Sequence, residues 1–297
     1  MPVETITTVD DASLRRRGFA WRADETNGVR ALVCTRLEDA GFANLFSTRA
    51  GGVSPMPTDA LNLAGFTDDA AENIHENRRR FLALLGGASR WRLATAWQVH
   101  GAEIVRVRRV ADEQDGASDS EATVYVNDSV RCDALSTDAP GVLVAAKSAD
   151  CVPVLLADER TGACAAVHAG WRGTLARVVG RALAHMTAEY GTRAREVIAC
   201  AGPAALGCCY EVGAEVTDAF AARYGETFAS PTRDGRALID LHQANHSQLV
   251  AAGVRSERIH LAPFCTMHDN DLLFSYRLEK ARADRVGRLL AVIGRAG

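Results

Sequence analysis

The chain is short of almost everything that would place it outside the cytoplasm. No run approaches the ~18 consecutive apolar residues of a membrane span, and Met1-Pro2-Val3-Glu4-Thr5 does not open a basic-then-apolar leader. Charge of one sign is missing too. The 34 basic and 37 acidic residues leave a net charge of -3, which argues against nucleic acid or an anionic membrane as the main partner. The eight cysteines include no C-x-x-C pair. Scattered through apolar stretches of a cytoplasmic chain, they read as small buried hydrophobes. The eight histidines include no His-x-His, the pairing multicopper oxidases use for their trinuclear cluster, and a Cys-His-axial-Met pattern for blue copper is also absent. The glycine-rich turn Ser47-Thr48-Arg49-Ala50-Gly51-Gly52-Val53-Ser54 lacks the Gly-Lys-Ser/Thr ending of a phosphate-binding Walker loop.

What is present is an ordinary globular composition, 47% hydrophobic and 24% charged, long enough to bury a full core without disulfides. No linker, repeat or low-complexity tract divides it. The reading is one domain over 41–297, with an N-terminal extension over 1–40 packed on it and residues 32–34 as an edge strand. The polar run 112–120 reads as an exposed loop. Strand patterns fall at 44–47, 94–99, 103–110, 141–147, 152–157, 163–168, 197–201 and 259–263. Helical patterns fall at 70–85, 174–190, 214–224, 241–252 and 279–293. Strands come in pairs before helices, which favours an α+β or mixed α/β layered domain over a doubly wound parallel sheet.

One cysteine stands apart. Cys151 follows Asp150 at the break between two strands, beside Pro153, which removes a ladder donor and marks a bend. A hairpin turning near residue 160 sets Cys151 across from His168 at its open end. His100, in Gln98-Val99-His100-Gly101, needs the tertiary fold to reach them. His100, Cys151 and His168 make three soft-to-borderline ligands, which leave the fourth position of a tetrahedral zinc open. Each histidine can equally be a hydrogen-bonded turn residue. Gly170-Trp171-Arg172-Gly173-Thr174 opens a long helix, where backbone donors and Arg172 suit an anion. Arg49 sits in the other glycine-rich turn. The small-residue loop at 202–211, ending Cys208-Cys209-Tyr210-Glu211, can line a pocket or simply turn into the next helix. His242 and His246 share one helix face, but Gln243 stands where a zincin needs glutamate, so they read as capping or surface residues.

Longer motifs carry a resemblance. Phe46 to Ser54, Gln98-Val99-His100-Gly101, Cys132-Asp133-Ala134-Leu135, Ala149-Asp150-Cys151-Val152-Pro153, His168-Ala169-Gly170-Trp171-Arg172-Gly173, Cys265-Thr266 and Phe274-Ser275-Tyr276-Arg277 resemble the YfiH-type, or laccase-domain, proteins from about residue 42 onward. Two departures stand out: Ala205-Leu206 replaces the family's usual Ile-Gly, and a helical run replaces the Arg-Asp-Gly turn after Arg277. The resemblance implies a single layered α/β/α domain of the α+β class with a mixed β-sheet. It implies zinc on His100, Cys151 and His168, with copper as the alternative metal. It further implies phosphorolysis of adenosine, inosine, guanosine and methylthioadenosine, and deamination of adenosine. Some relatives are linked instead to editing of peptidoglycan precursors.

Under this reading zinc supplies an activated water for deamination, and a carboxylate must move the proton. Asp150 is the candidate by adjacency. Phosphorolysis needs a held phosphate and stabilisation of an oxocarbenium-like sugar, for which Ser47, Arg49, Ser148 and Arg172 are the candidate donors. Two other readings use the same residues. Cys151 can act as a nucleophile with His168 as its base, giving a cysteine-type amidase or editing enzyme. Alternatively, the chain binds metal and nucleoside as a sensor without turnover.

Overall fold

The computed structural model describes residues 10–56, 59–65, 69–87, 90–108, 129–225, 227–283 and 285–296. The expected loop at 112–120 lies outside them. The core strands are apolar on both faces, and that dictates the layering. In Val142–Ser148, Val142, Val144 and Ala146 join one cluster while Leu143 and Ala145 join another. In Cys164–Ala169, Cys164 and Ala166 share the first of those clusters, while Ala165, Val167 and Ala169 turn to a third. Side chains alternate with period two, so each such strand lies between two hydrophobic layers. The result is two six-stranded sheets packed face to face on a shared core, with further apolar layers on their outer sides.

The first sheet runs Phe19–Asp24, Val29–Cys34, Phe42–Ser47, Leu289–Arg295, Val142–Ser148 and Arg92–Ala94. All of its pairs are antiparallel except the last, which is parallel. The second runs Ile259–Leu261, Val197–Ala201, Val152–Asp158, Cys164–Ala169, Ala134–Thr137 and Ile104–Arg106, with parallel pairs at both ends. The helix Ala71–Ala83 buries Phe81 and Leu82 outside the first sheet. Val178–Tyr190 and Leu241–Ala251 cover the second. The expected layered fold with mixed sheets is the one that forms. No helix among the described residues is long and apolar enough to cross a membrane.

Three expectations need correction. The stretch 279–293 is not a helix: a short turn, Tyr276–Glu279, gives way to the strand Leu289–Arg295 at the centre of the first sheet. A continuous apolar run suits a doubly buried strand as well as a helix, and Gly294 is needed here because a Cβ there would lie 2.2 Å from the Val142 carbonyl oxygen. The helix 174–190 is broken into Trp171–Leu175 and Val178–Tyr190, with Arg177 left-handed at φ 60°. The Thr174 carbonyl, which an unbroken helix would pair with residue 178, instead accepts from Gln248 Nε2 at 2.7 Å and Tyr224 Oη at 2.9 Å. Residues 32–34 do not form an edge strand, because Val29–Cys34 has partners on both sides.

Candidate active site

The hairpin of Val152–Asp158 and Cys164–Ala169 positions the site. Its turn is set by Asp158, whose Oδ1 accepts from Arg160 N at 2.9 Å and whose N–H donates to Ala163 O at 2.9 Å. That turn holds four residues, so His168 pairs with Pro153 and Ala169 with Val152. The cross-strand pairing expected for Cys151 and His168 is therefore displaced by two residues, and Cys151 lies beyond the ladder, opposite Gly170. The two side chains meet all the same. Asp150 takes φ 99°, turning the chain just before Cys151. Gly170 leaves the room: a Cβ there would lie 2.9 Å from Cys151 Sγ and 3.0 Å from His100 Cδ2. One ligand atom each from His100, Cys151 and His168 lies within 4.8 Å of the others. The two imidazole rings stand edge to face, 4.9 Å apart between centroids.

Asp133, fully buried, assembles the three. Its Oδ1 accepts from His168 Nδ1 at 2.8 Å, which leaves Nε2 as the ring's outward donor atom. Its carboxylate also accepts the backbone N–H of Val99, His100 and Gly101 at 3.2, 2.9 and 2.6 Å. Three consecutive N–H groups on one carboxylate hold His100 in the left-handed region, φ 59°, which costs a non-glycine residue energy. Gln98 ties the same loop to Lys147 by two backbone hydrogen bonds of 2.7 Å each.

Charge at the centre is paired. Burial opposes ionisation of Cys151, but the His168 charge and hydrogen bonds from both histidines outweigh it and bring the thiol down to about 6. Burial likewise disfavours protonated His168, yet the Cys151 charge and Asp133 raise it to about 9. Two nitrogens and a sulfur that ionises readily make a donor set fit for zinc or copper, and the fixed His168 tautomer is the arrangement metal-bound histidines use.

These groups line a cavity of about 820 Å³, within the range of small-molecule sites. Ser148 and Arg172 reach its wall, the guanidinium over Trp171 at 4.2 Å. Asp150 reaches it as well, with Oδ1 accepting from Thr266 Oγ1 at 2.7 Å and Oδ2 from Arg277 N at 2.6 Å. Ser47 and Arg49 are not brought there. Ser47 Oγ accepts from Leu290 N. Arg49 pairs with Glu279 at 3.2 Å and donates to Asn270 O at 2.6 Å, bracing the segment that carries Tyr276 and Arg277.

Tyr210 brings the loop 202–211 to the cavity wall, the pocket-lining alternative expected of it. Sequence reasoning missed Asp133, Lys147, Arg277 and Arg288, of which the last three line the cavity. Asp133 and Arg277 belong to the family motifs at 132–135 and 274–277, and Lys147 is one of only two lysines in the chain, a signal of its own.

Residues 43–296 match the family described as multi-copper polyphenol oxidoreductase laccase. A purine nucleoside phosphorylase of Deinococcus radiodurans is 36% identical over 264 residues, covering 89% of this chain and 93% of that protein. The purine nucleoside phosphorylase YfiH of Escherichia coli is 33% identical over 256 residues, covering 85% and 93%. The crystal structure of YlmD from Geobacillus stearothermophilus superposes with a TM-score of 0.78 at 31% identity, over 93% of this chain and 99% of that one.

Proposed function

The chain belongs to the multi-copper polyphenol oxidoreductase laccase family, and from that premise we propose that it is a zinc-dependent purine nucleoside enzyme. Its reactions are phosphorolysis of adenosine, inosine, guanosine and methylthioadenosine, and deamination of adenosine. The observation that carries the reading is the convergence of His100, Cys151 and His168 at a cavity where, among the described residues, Lys147, Arg172, Arg277 and Arg288 face the one carboxylate of Asp150. Relatives named as purine nucleoside phosphorylases support the substrate class. A laccase reading of the family name has no support in eight histidines without a His-x-His pair.

Zinc on the three ligands supplies a Lewis acid beside the substrate. The remaining work falls to the chain. Lys147 and Arg172, with Ser148 beside them, hold the phosphate that attacks the sugar carbon as the purine leaves. Preorganised cations in a cavity act there without reorganising at the moment of reaction. Asp150, fixed by Thr266 and the Arg277 amide, offers the proton acceptor that deamination needs. Arg49 acts behind the wall, keeping the Tyr276–Arg277 segment in place, while Ser47 ties down the strand Leu289–Arg295.

A second reading rests on the acidified Cys151 beside a raised His168. This is the pattern of a thiolate nucleophile with its base, suited to an amide in a cell-wall precursor. One assay separates the two. Zinc-loaded protein is incubated with adenosine, with and without phosphate, and adenine, inosine and hypoxanthine are resolved by chromatography. Phosphate-dependent adenine or phosphate-independent inosine is the expected result, and His100→Ala abolishes it. Absence of every product from zinc-loaded protein overturns the proposal in favour of the precursor.

A further inference from the structure

Apart from the three residues at the cavity, a second group of metal-ligating side chains lies close together. Cys208, Cys209, Cys265 and His268 each offer one ligand atom, and all four atoms lie within 4.8 Å of one another. We propose that these four residues form a second zinc site, of the closed Cys3His type. Geometry supports it. Zinc–sulfur bonds near 2.3 Å in a tetrahedron put two sulfurs about 3.8 Å apart, and a sulfur and an imidazole nitrogen about 3.5 Å apart. Here Cys208 Sγ is 3.6 Å from Cys209 Sγ and 3.6 Å from His268 Nδ1. Two of the six separations thus match tetrahedral zinc, and all six lie within 4.8 Å.

The chemistry is that of a structural centre. Three thiolates and one imidazole fill every position of a tetrahedral ion and leave none for a substrate. Soft sulfur donors favour zinc over calcium or magnesium, which take oxygen.

The four residues come from two segments that the chain must hold side by side. Ala204 bridges Cys265 in parallel, and Thr266 N donates to Ala204 O at 3.0 Å. From the first segment, Ala205 N donates to Asp150 O and Tyr210 lines the cavity. From the second, Thr266 Oγ1 donates to the Asp150 carboxylate. An ion joining Cys208 and Cys209 to Cys265 and His268 clamps both segments against the wall that holds Asp150. The second zinc is therefore a brace for the active cavity.

The test counts zinc per chain by elemental mass spectrometry on full-length protein after zinc loading and gel filtration. Cys208 and His268 are exposed, so Cys208→Ser and His268→Gln leave the packing undisturbed, whereas Cys265 is fully buried. The wild type is expected to hold two equivalents, Cys208→Ser and His268→Gln one each, Cys151→Ser one, and Cys151→Ser/Cys208→Ser none. Cobalt(II) added to Cys151→Ser protein gives a thiolate-to-cobalt absorption band, which is lost in the double variant. A Cys151→Ser protein that binds no zinc and gives no such band overturns the second site and leaves the proposed function standing. Loss of all zinc from Cys208→Ser, with Cys151→Ser unaffected, supports this site and removes the metal from the other.

Discussion

The Asp133 carboxylate accepts four N–H groups, three from backbone and one from His168, so Asp133→Asn interrogates the whole site through one atom pair. The amide offers one oxygen in place of two and turns an NH2 toward donors. Zinc affinity is expected to fall about 10–100-fold, as when a ligand histidine loses its outer partner. Stability is expected to fall by about 1–3 kcal/mol for buried donors left unmatched, both readable by competition with a chelator and by urea unfolding. The pH dependence has a definite sign. Burial raises the Asp133 pKa, but the His168 hydrogen bond and charge and the backbone donors prevail and hold it below 3.8. A carboxyl depressed in the folded state stabilises above its unfolded value and loses that contribution as pH falls through the folded one. The gap between wild type and Asp133→Asn is expected to stay constant at neutral pH and to close below 3.8. A gap that persists in acid would show that the carboxylate's charge is not what it contributes. The three residues proposed as ligands could be singled out in the sequence, because a thiol at a strand break and histidines beside glycine are local patterns. Asp133 was not. Its relation to positions 100 and 168 exists only once Ala134–Thr137 has paired with Cys164–Ala169.

Among the elements, the hairpin was legible from Thr161-Gly162 and the flanking apolar runs, and its two-residue error came from the length of the turn that Asp158 caps. The helix Ala71–Ala83 was legible from its amphipathic period. The strand Leu289–Arg295 was not, since both of its faces are apolar and periodicity has nothing to distinguish. Gly294 gives this strand a test. Gly294→Ala forces a Cβ against the Val142 carbonyl, and overpacking of this kind costs about 1–3 kcal/mol. Urea unfolding should show the unfolding free energy lowered by that amount, as a lower midpoint at unchanged slope. An unaltered midpoint would mean that the two central strands separate without penalty.

For the molecule as a whole, net negative charge coexists with a cavity wall that carries four cations among the described residues. Low-dielectric walls focus such a field and draw anions inward. Under the proposed function, KM for phosphate should rise several-fold, with kcat unchanged, as added salt shortens the Debye length from about 10 Å to about 3 Å. A KM indifferent to salt would remove these cations from phosphate capture. The layered class could be read from the order of elements. The stacking of two sheets could not, because strands apolar on both faces carry no mark of which sheet they join.

The strand Leu289–Arg295 lies between Phe42–Ser47 and Val142–Ser148, neighbours that leave the ribosome long before it does. Until it arrives, those two earlier strands each present an unpaired edge, the kind of template on which chains associate wrongly. The first sheet therefore cannot close until residues 289–295 have been made. The nascent chain spends that interval in need of dilution or a chaperone, a vulnerability in time that the finished molecule no longer displays.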